Sequence, residues 1–222
     1  EGQVLPGTPD LVLEMPNYMS KATETHDDYV CISLPTGLTE ERIVKAIEII
    51  PGNRSIVHHC IVYADADASY PTDTIGGDCG GPTEEPLMAG YTPGSSPTIF
   101  PASSDFSSGM KLAAGANVVL AMHYPHGSYG EYDQTKVHFY FYDEPVDNFR
   151  EILAGPFIQN WEFELLAGEY TDVSASVPEI PYDLTVLSTF PHMHLLGKSI
   201  ESYALSPEGD TIPFVRIPDW DF

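Results

Sequence analysis

S-I-V-H-H-C-I-V-Y, Ser55 to Tyr63, is an apolar, β-branched run that reads as a central strand with two adjacent histidines set in it. Runs of the same kind lie on both sides. Tyr29–Leu34, Arg42–Ile50 and Asn117–Tyr124 (N-V-V-L-A-M-H-Y) are apolar and β-rich, and Asp10–Met15 begins with a short apolar run. Lys136–Tyr142 alternates: Val137, Phe139 and Phe141 point one way, His138, Tyr140 and Tyr142 the other. The 20 prolines and 18 glycines are spread along the chain, which argues against long helices. The helix signal is thin: Thr39-Glu40-Glu41 could cap a short turn before Arg42. Tyr70–Gly109, rich in Gly, Pro, Ser and Thr, reads as a loop-dominated excursion between core strands. Beyond residue 150 the strand pattern resumes at Trp161–Leu166, Thr171–Val177, Leu184–Phe190, Ser199–Leu205 and Phe214–Ile217.

Short strands broken by closely spaced turns are the pattern of a sandwich or jelly roll. The expectation is an all-β protein of two tandem jelly-roll-like β-sandwich domains, residues 1–150 and 151–222. The second is too short for a complete sandwich.

The histidines cluster. Five of the eight are His58-His59, His123 and His192-x-His194, each in or beside an apolar run. Imidazole is the commonest transition-metal ligand, and three neutral imidazoles leave an ion its charge and an open position. On a strand His192 and His194 point to the same face and Met193 away from it. His58 and His59 are less natural, because strand neighbours diverge; a bulge, a twist or different ring nitrogens are needed to bring both to one ion. The bland alternative is that these are structural or solvated histidines. His26, His126 and His138 read as non-ligands.

Acidic residues number 33 against 9 basic, a formal charge of −24, which repels phosphate backbones and anionic lipids. Neither nucleic-acid nor membrane-surface binding is expected, and no apolar run is long enough to span a bilayer. The chain starts at Glu1 with no leader-like segment, so the expectation is a removed signal peptide or a fragment. The cysteine count is three. Cys31 follows a strand start and Cys79 lies in a Gly-rich loop; a bridge between them would staple loop to strand. Cys60 is a buried thiol, a soft ligand or Cys31's partner. No G-x-S-x-G, P-loop or G-x-G-x-x-G is present. Asp65-x-Asp67-x-Ser69 opens like an EF-hand, but Tyr70 stands where the loop glycine belongs and Gly76 where its glutamate belongs.

Five stretches carry a resemblance: D-D-Y-V-C-I-S-L-P (Asp27–Pro35), S-I-V-H-H-C-I-V-Y (Ser55–Tyr63), V-L-A-M-H-Y (Val119–Tyr124), P-H-M-H-L-L-G-K (Pro191–Lys198) and I-P-D-W-D-F (Ile217–Phe222). In these motifs and their order the chain resembles the copper type II, ascorbate-dependent monooxygenases, the family of dopamine β-monooxygenase and peptidylglycine α-hydroxylating monooxygenase. G-Y-T-P-G-S-S-P (Gly90–Pro97) looks like the bacterial-type branch. The resemblance implies two jelly-roll-like domains facing each other across a cleft, each with one copper. His58, His59 and His123 match the ligands of the electron-transferring copper, and His192 and His194 those of the oxygen-activating copper. Ascorbate would supply electrons, and O2 would hydroxylate a C–H bond of a small organic substrate, in a secreted or periplasmic protein. Cys31 matches a disulfide position of the family and Cys79 looks like its partner.

The family's second copper also has a methionine ligand downstream of the matching W-D-F, whereas this sequence ends at Phe222. The expectation is that the closing strands come from a continuation or a second chain, or that the fold is completed differently, and that this ligand is missing from the given sequence. Phe190 stands where peptidylglycine enzymes carry an arginine, which argues against a peptide carboxylate as substrate. The alternative is an extracellular structural or assembly β-sandwich module with partial or vestigial metal sites, its strands exchanged between subunits. A weaker third option is a mononuclear zinc or copper protein using the first site alone.

Overall fold

The computed structural model describes residues 4–72, 79–81, 85–143, 146–155, 157–193 and 195–220. Among these the chain is all-β, without a helix, and so without a helix long and apolar enough to cross a membrane. The strands are β1 (Leu11–Glu14), β2 (Tyr18–Met19), β3 (Asp28–Pro35), β4 (Arg42–Ile50), β5 (His59–Asp65), β6 (Leu87–Tyr91) and β7 (Thr98–Ile99). They continue as β8 (Ser107–Leu112), β9 (Asn117–Tyr124), β10 (Tyr132–Asp133), β11 (Lys136–Phe141), β12 (Phe149–Glu151), β13 (Ile200–Leu205) and β14 (Thr211–Ile217). They fall into two compact units, Glu1–Gln159 and Asn160–Phe222.

The first unit is a β-sandwich. One sheet runs β1-β11-β4-β8-β12, with β7 also on β4; the other runs β3-β9-β5-β6. The alternation of side chains along each strand builds the core between them. Val137, Phe139 and Phe141 of β11 and Val44 and Ile47 of β4 meet Val30 and Ile32 of β3, Cys60 and Val62 of β5, and Val118, Leu120 and Met122 of β9 in one buried cluster. Pro51 follows the last residue of β4, and Gly52 passes so close to Gln134 that a Cβ would stand 2.6 Å from its backbone nitrogen. That contact brings the β4–β5 connection against the β10–β11 turn. Thr39-Glu40-Glu41 forms a bend and no helix.

Strand β9 is buried on both faces. Its outward Val119 and Ala121 join Cys31 and Tyr63 in a second buried cluster, against which Tyr70 and Cys79 pack. The Cys31–Cys79 disulfide holds this cover to β3, with Cα atoms 5.8 Å apart. Gly81, at φ +86°, lies where a Cβ would meet the Tyr63 ring at 2.8 Å. Tyr70–Gly109 is loop-dominated as its composition says. It also contains β6, β7 and the start of β8, whose Leu87, Met88 and Tyr91 supply the strand pattern that its Gly, Pro and Ser content obscures. Asp65 is fully buried and accepts the backbone N–H groups of Ser69 (3.2 Å) and Tyr70 (2.9 Å), so its carboxylate closes a turn.

The sequence division at residue 150 and the structural one differ by a few residues. Strand β12 pairs in parallel with β8, and Ile152 N–H and Ala154 C=O bond to Gly109 and Leu87 of the same unit, which carries that unit to Gln159.

In the second unit the ladder among the described residues is the β13–β14 hairpin. Trp161–Leu166, Thr171–Val177 and Leu184–Phe190, read as strands from their composition, carry no ladder. An apolar alternating run becomes a strand only against a neighbour that takes its backbone groups and covers its side chains. Apolar side chains of these runs stay exposed: Trp161, Val173 and Phe190 are 80%, 44% and 82% exposed.

The disulfide closes a loop of sequence separation 48. By chain entropy, replacing Cys31 and Cys79 together with alanine is expected to cost about 4 kcal/mol. Urea unfolding of the double variant checks this: its midpoint should fall, and its slope should rise as the denatured chain loses the cross-link and exposes more surface.

Candidate metal centre

The pairing of β5 with β9 places His59 directly opposite His123, and both side chains lie on the outward face of the four-stranded sheet. Their neighbours Cys60 and Met122 also face each other, but inward, in the core. His58 precedes the first residue of β5. Asn53 C=O accepts the N–H groups of Ile56 and Val57, and this turn delivers the chain to His58, whose own N–H bonds to His123 C=O at 3.0 Å. Being outside the strand, His58 escapes strict alternation, and its ring folds toward the other two. No bulge is needed to bring the adjacent histidines together.

The rings form a tight triangle, with centroids 4.6 Å (His58–His123), 4.7 Å (His59–His123) and 5.6 Å (His58–His59) apart. His59 Nδ1 lies 3.3 Å from His123 Nδ1 and 3.4 Å from His58 Nδ1. Metal–nitrogen bonds of about 2.0–2.1 Å in tetrahedral geometry require nitrogens about 3.3 Å apart. Two of the three nitrogen pairs have this spacing and the ligand atoms of all three rings lie within 4.8 Å of one another, so among the described residues this is the group of side chains that could hold a transition-metal ion. His123 is buried, His59 intermediate and His58 exposed, so the site is open on the His58 side.

Asp27 stands behind His123. Its Oδ2 is 2.8 Å from His123 Nε2, and its Oδ1 accepts the His126 N–H at 2.7 Å and lies 3.2 Å from His126 Nδ1. Burial pushes the Asp27 carboxyl up, but the hydrogen bonds from His123 and His126 outweigh it and hold the group below the ordinary carboxylate value. Burial pulls His123 below the ordinary imidazole value, with help from His58 and against the attraction of Asp27. A neutral His123 at pH 7 is the form that can ligate. Tyr29, paired with His123 across β3–β9, stacks on its ring at 4.2 Å.

The inner face braces the same strands. Buried Asp133 accepts Asn53 N–H (2.8 Å), Tyr124 Oη–H (3.0 Å) and Thr135 Oγ1–H (2.7 Å), while Asn53 Nδ2 donates to Tyr132 C=O. Tyr124 stacks on Tyr18, which donates to Asp28. The turn before His58 and the strand end at His123 are thus tied to one buried carboxylate.

Of the histidines singled out in the sequence, His58, His59 and His123 come together. His192 is exposed, and Pro191–Met193 forms no strand ladder. His194 lies outside the described residues. His126 stays out of the ligand triangle, and His138 is on the opposite sheet in β11. Cys60 faces the core and is not a ligand. Asp27 and Tyr29 also belong to the site, and their only sequence signal is their place in the D-D-Y-V-C run.

Comparison with protein-family models and with curated proteins gives no match.

Cys60 is fully buried, and burial with Asp133 nearby pushes its thiol well above the ordinary value. The native protein at pH 8 is expected to take up no thiol reagent such as Ellman's reagent, and one equivalent after denaturation without reductant.

Proposed function

We propose that the chain is a copper-dependent monooxygenase-type protein of an oxidising compartment, with its electron-transfer centre at His58, His59 and His123. The observation that carries the reading is the convergence of three imidazoles, with His59 Nδ1 at ligand spacing from both His58 Nδ1 and His123 Nδ1 and all three ligand atoms within 4.8 Å of one another. The motif resemblance supplies the identity of the metal, and the disulfide suits a secreted or periplasmic setting. Copper held there would pass single electrons from ascorbate toward O2-dependent hydroxylation of a small organic substrate.

The protein's own residues do the rest. The β5–β9 register sets two ligands, the turn after Asn53 sets the third, and Asp27 holds the His123 ring. Among the described residues the ligand group at the triangle is three imidazoles, and neutral nitrogen ligands suit both copper oxidation states. His192 and His194 are proposed for a second, oxygen-side copper, which needs a further ligand. The assembly-module alternative draws support from the apolar side chains exposed in the second unit.

Copper titration with metal analysis and electron paramagnetic resonance tests the reading. One tightly bound Cu(II) with nitrogen ligands is expected at the first site. His123→Ala should weaken it by more than the ~10–100-fold that loss of an outer-shell partner costs. No copper at saturating metal would overturn the assignment. One retained copper without ascorbate-dependent O2 consumption would leave a single-site copper protein. Metal-free polymers or oligomers would favour the assembly module.

A further inference from the structure

We infer that Asp27 is a positioning residue for the trihistidine centre and biases it toward Cu(II) over Cu(I). The inference rests on the copper reading above.

A carboxylate only accepts hydrogen bonds. At 2.8 Å from Asp27 Oδ2, His123 Nε2 must therefore carry the ring hydrogen. That leaves the lone pair on Nδ1, the atom 3.3 Å from His59 Nδ1 and directed into the triangle. In the other tautomer Nδ1–H would point at the ion's position, and Nε2 would set a lone pair against a carboxylate oxygen. Asp27 thus selects the ligating tautomer before a metal arrives.

The carboxylate is itself held. His126 N–H fixes its second oxygen at 2.7 Å, and the His126 ring lies against the same atom at 3.2 Å. Asp27 sits one residue before β3, and His126 two residues after β9, so the contact closes the end of a paired strand ladder. Swinging the carboxylate away would break its contacts to both His123 and His126.

Charge gives the second consequence. Three neutral imidazoles add none, so the carboxylate behind His123 is a fixed negative charge one ring away from the ion. It favours the dication more than the monocation. The Asp27 side chain is 28% exposed, so solvent reduces this preference without removing it. A brace that merely tied strand to loop would show no such preference.

The test uses the full chain with Asp27→Ala, Asp27→Asn and, as control, His126→Ala, which keeps the backbone bond. Cu(II) and Cu(I) dissociation constants are measured by chelator competition, and the metal-free His123 tautomer by 15N imidazole NMR. Wild type should show the Nε2–H form. Asp27→Ala should lose that preference and weaken Cu(II) by about 10–100-fold, with a smaller loss for Cu(I). Asp27→Asn, with one acceptor oxygen for two donors, should shift in the same direction, and His126→Ala should stay near wild type. Unchanged affinities in a folded Asp27 variant, or equal losses for both ions, would overturn the electrostatic bias. An Nδ1–H tautomer in wild type would overturn the positioning role. The tautomer measurement needs no metal and still decides that role if wild type binds no copper, an outcome that overturns the copper reading and, with it, the bias. If Asp27→Ala does not fold, Asp27→Asn carries the same comparisons.

Discussion

The register of β5 against β9 is the constraint on which the centre depends. Side chains alternate with a period of two, so a slip of one residue would send His59 or His123 into the core and bring Cys60 or Met122 outward. The core prevents this. Cys60 and Val62 on β5 and Leu120 and Met122 on β9 are buried in one cluster, all four fully or nearly so. Exposing them would forfeit on the order of 1.5–3 kcal/mol for each large apolar side chain. The ligand geometry is thus enforced by hydrophobic burial on the opposite face of the same sheet, and the histidines need no mutual attraction to be held there.

Consecutive acids show the same alternation in use. Asp28 begins β3 and turns inward, where Tyr18 Oη and Lys21 N–H bond to it. Asp27, one residue earlier, lies outward against His123 and His126. Across the sheet His123 and Tyr124 repeat the division: His123 meets Asp27, and Tyr124 meets Asp133. Each strand end is thereby pinned on both faces by a charge-assisted or buried hydrogen bond, the kind that is costly to leave half-made. The ends of β3 and β9 would otherwise be the places to fray, and they are where the centre is built.

The strands of the first unit were legible because their patterns are local. Arg42–Ile50 and Asn117–Tyr124 coincide with β4 and β9, and Lys136–Tyr142 contains β11. Tyr70–Gly109 is loop-dominated as its composition says, and the strand Leu87–Tyr91 is hidden within it because it is short and ends in Gly90-Tyr91 among turn-forming residues. At the site, the histidines announced themselves by residue type. Asp27 did not, because a carboxylate in an acidic chain carries no signal until pairing sets it beside His123. The apparent difficulty of adjacent His58 and His59 dissolved for a related reason. The apolar run extends back to Ile56, but the ladder starts at His59, and the residue outside it is free of the strand rule.

The two units carry similar local patterns to different ends, and the difference lies in partners. Val119 and Ala121 are as apolar as Val173 and Val177, yet the first pair is buried and the second pair 44% and 42% exposed. What β9 has is a neighbour on each edge, a core on one face and a disulfide-held cover on the other. A strand is a property of a pairing, whereas apolar alternation is only a property of a segment. The histidine motifs follow the same logic. His59 and His123 share a face because a ladder fixes them opposite one another. His192-x-His194 has the spacing for a shared face, but spacing becomes geometry only where its segment is held in a sheet.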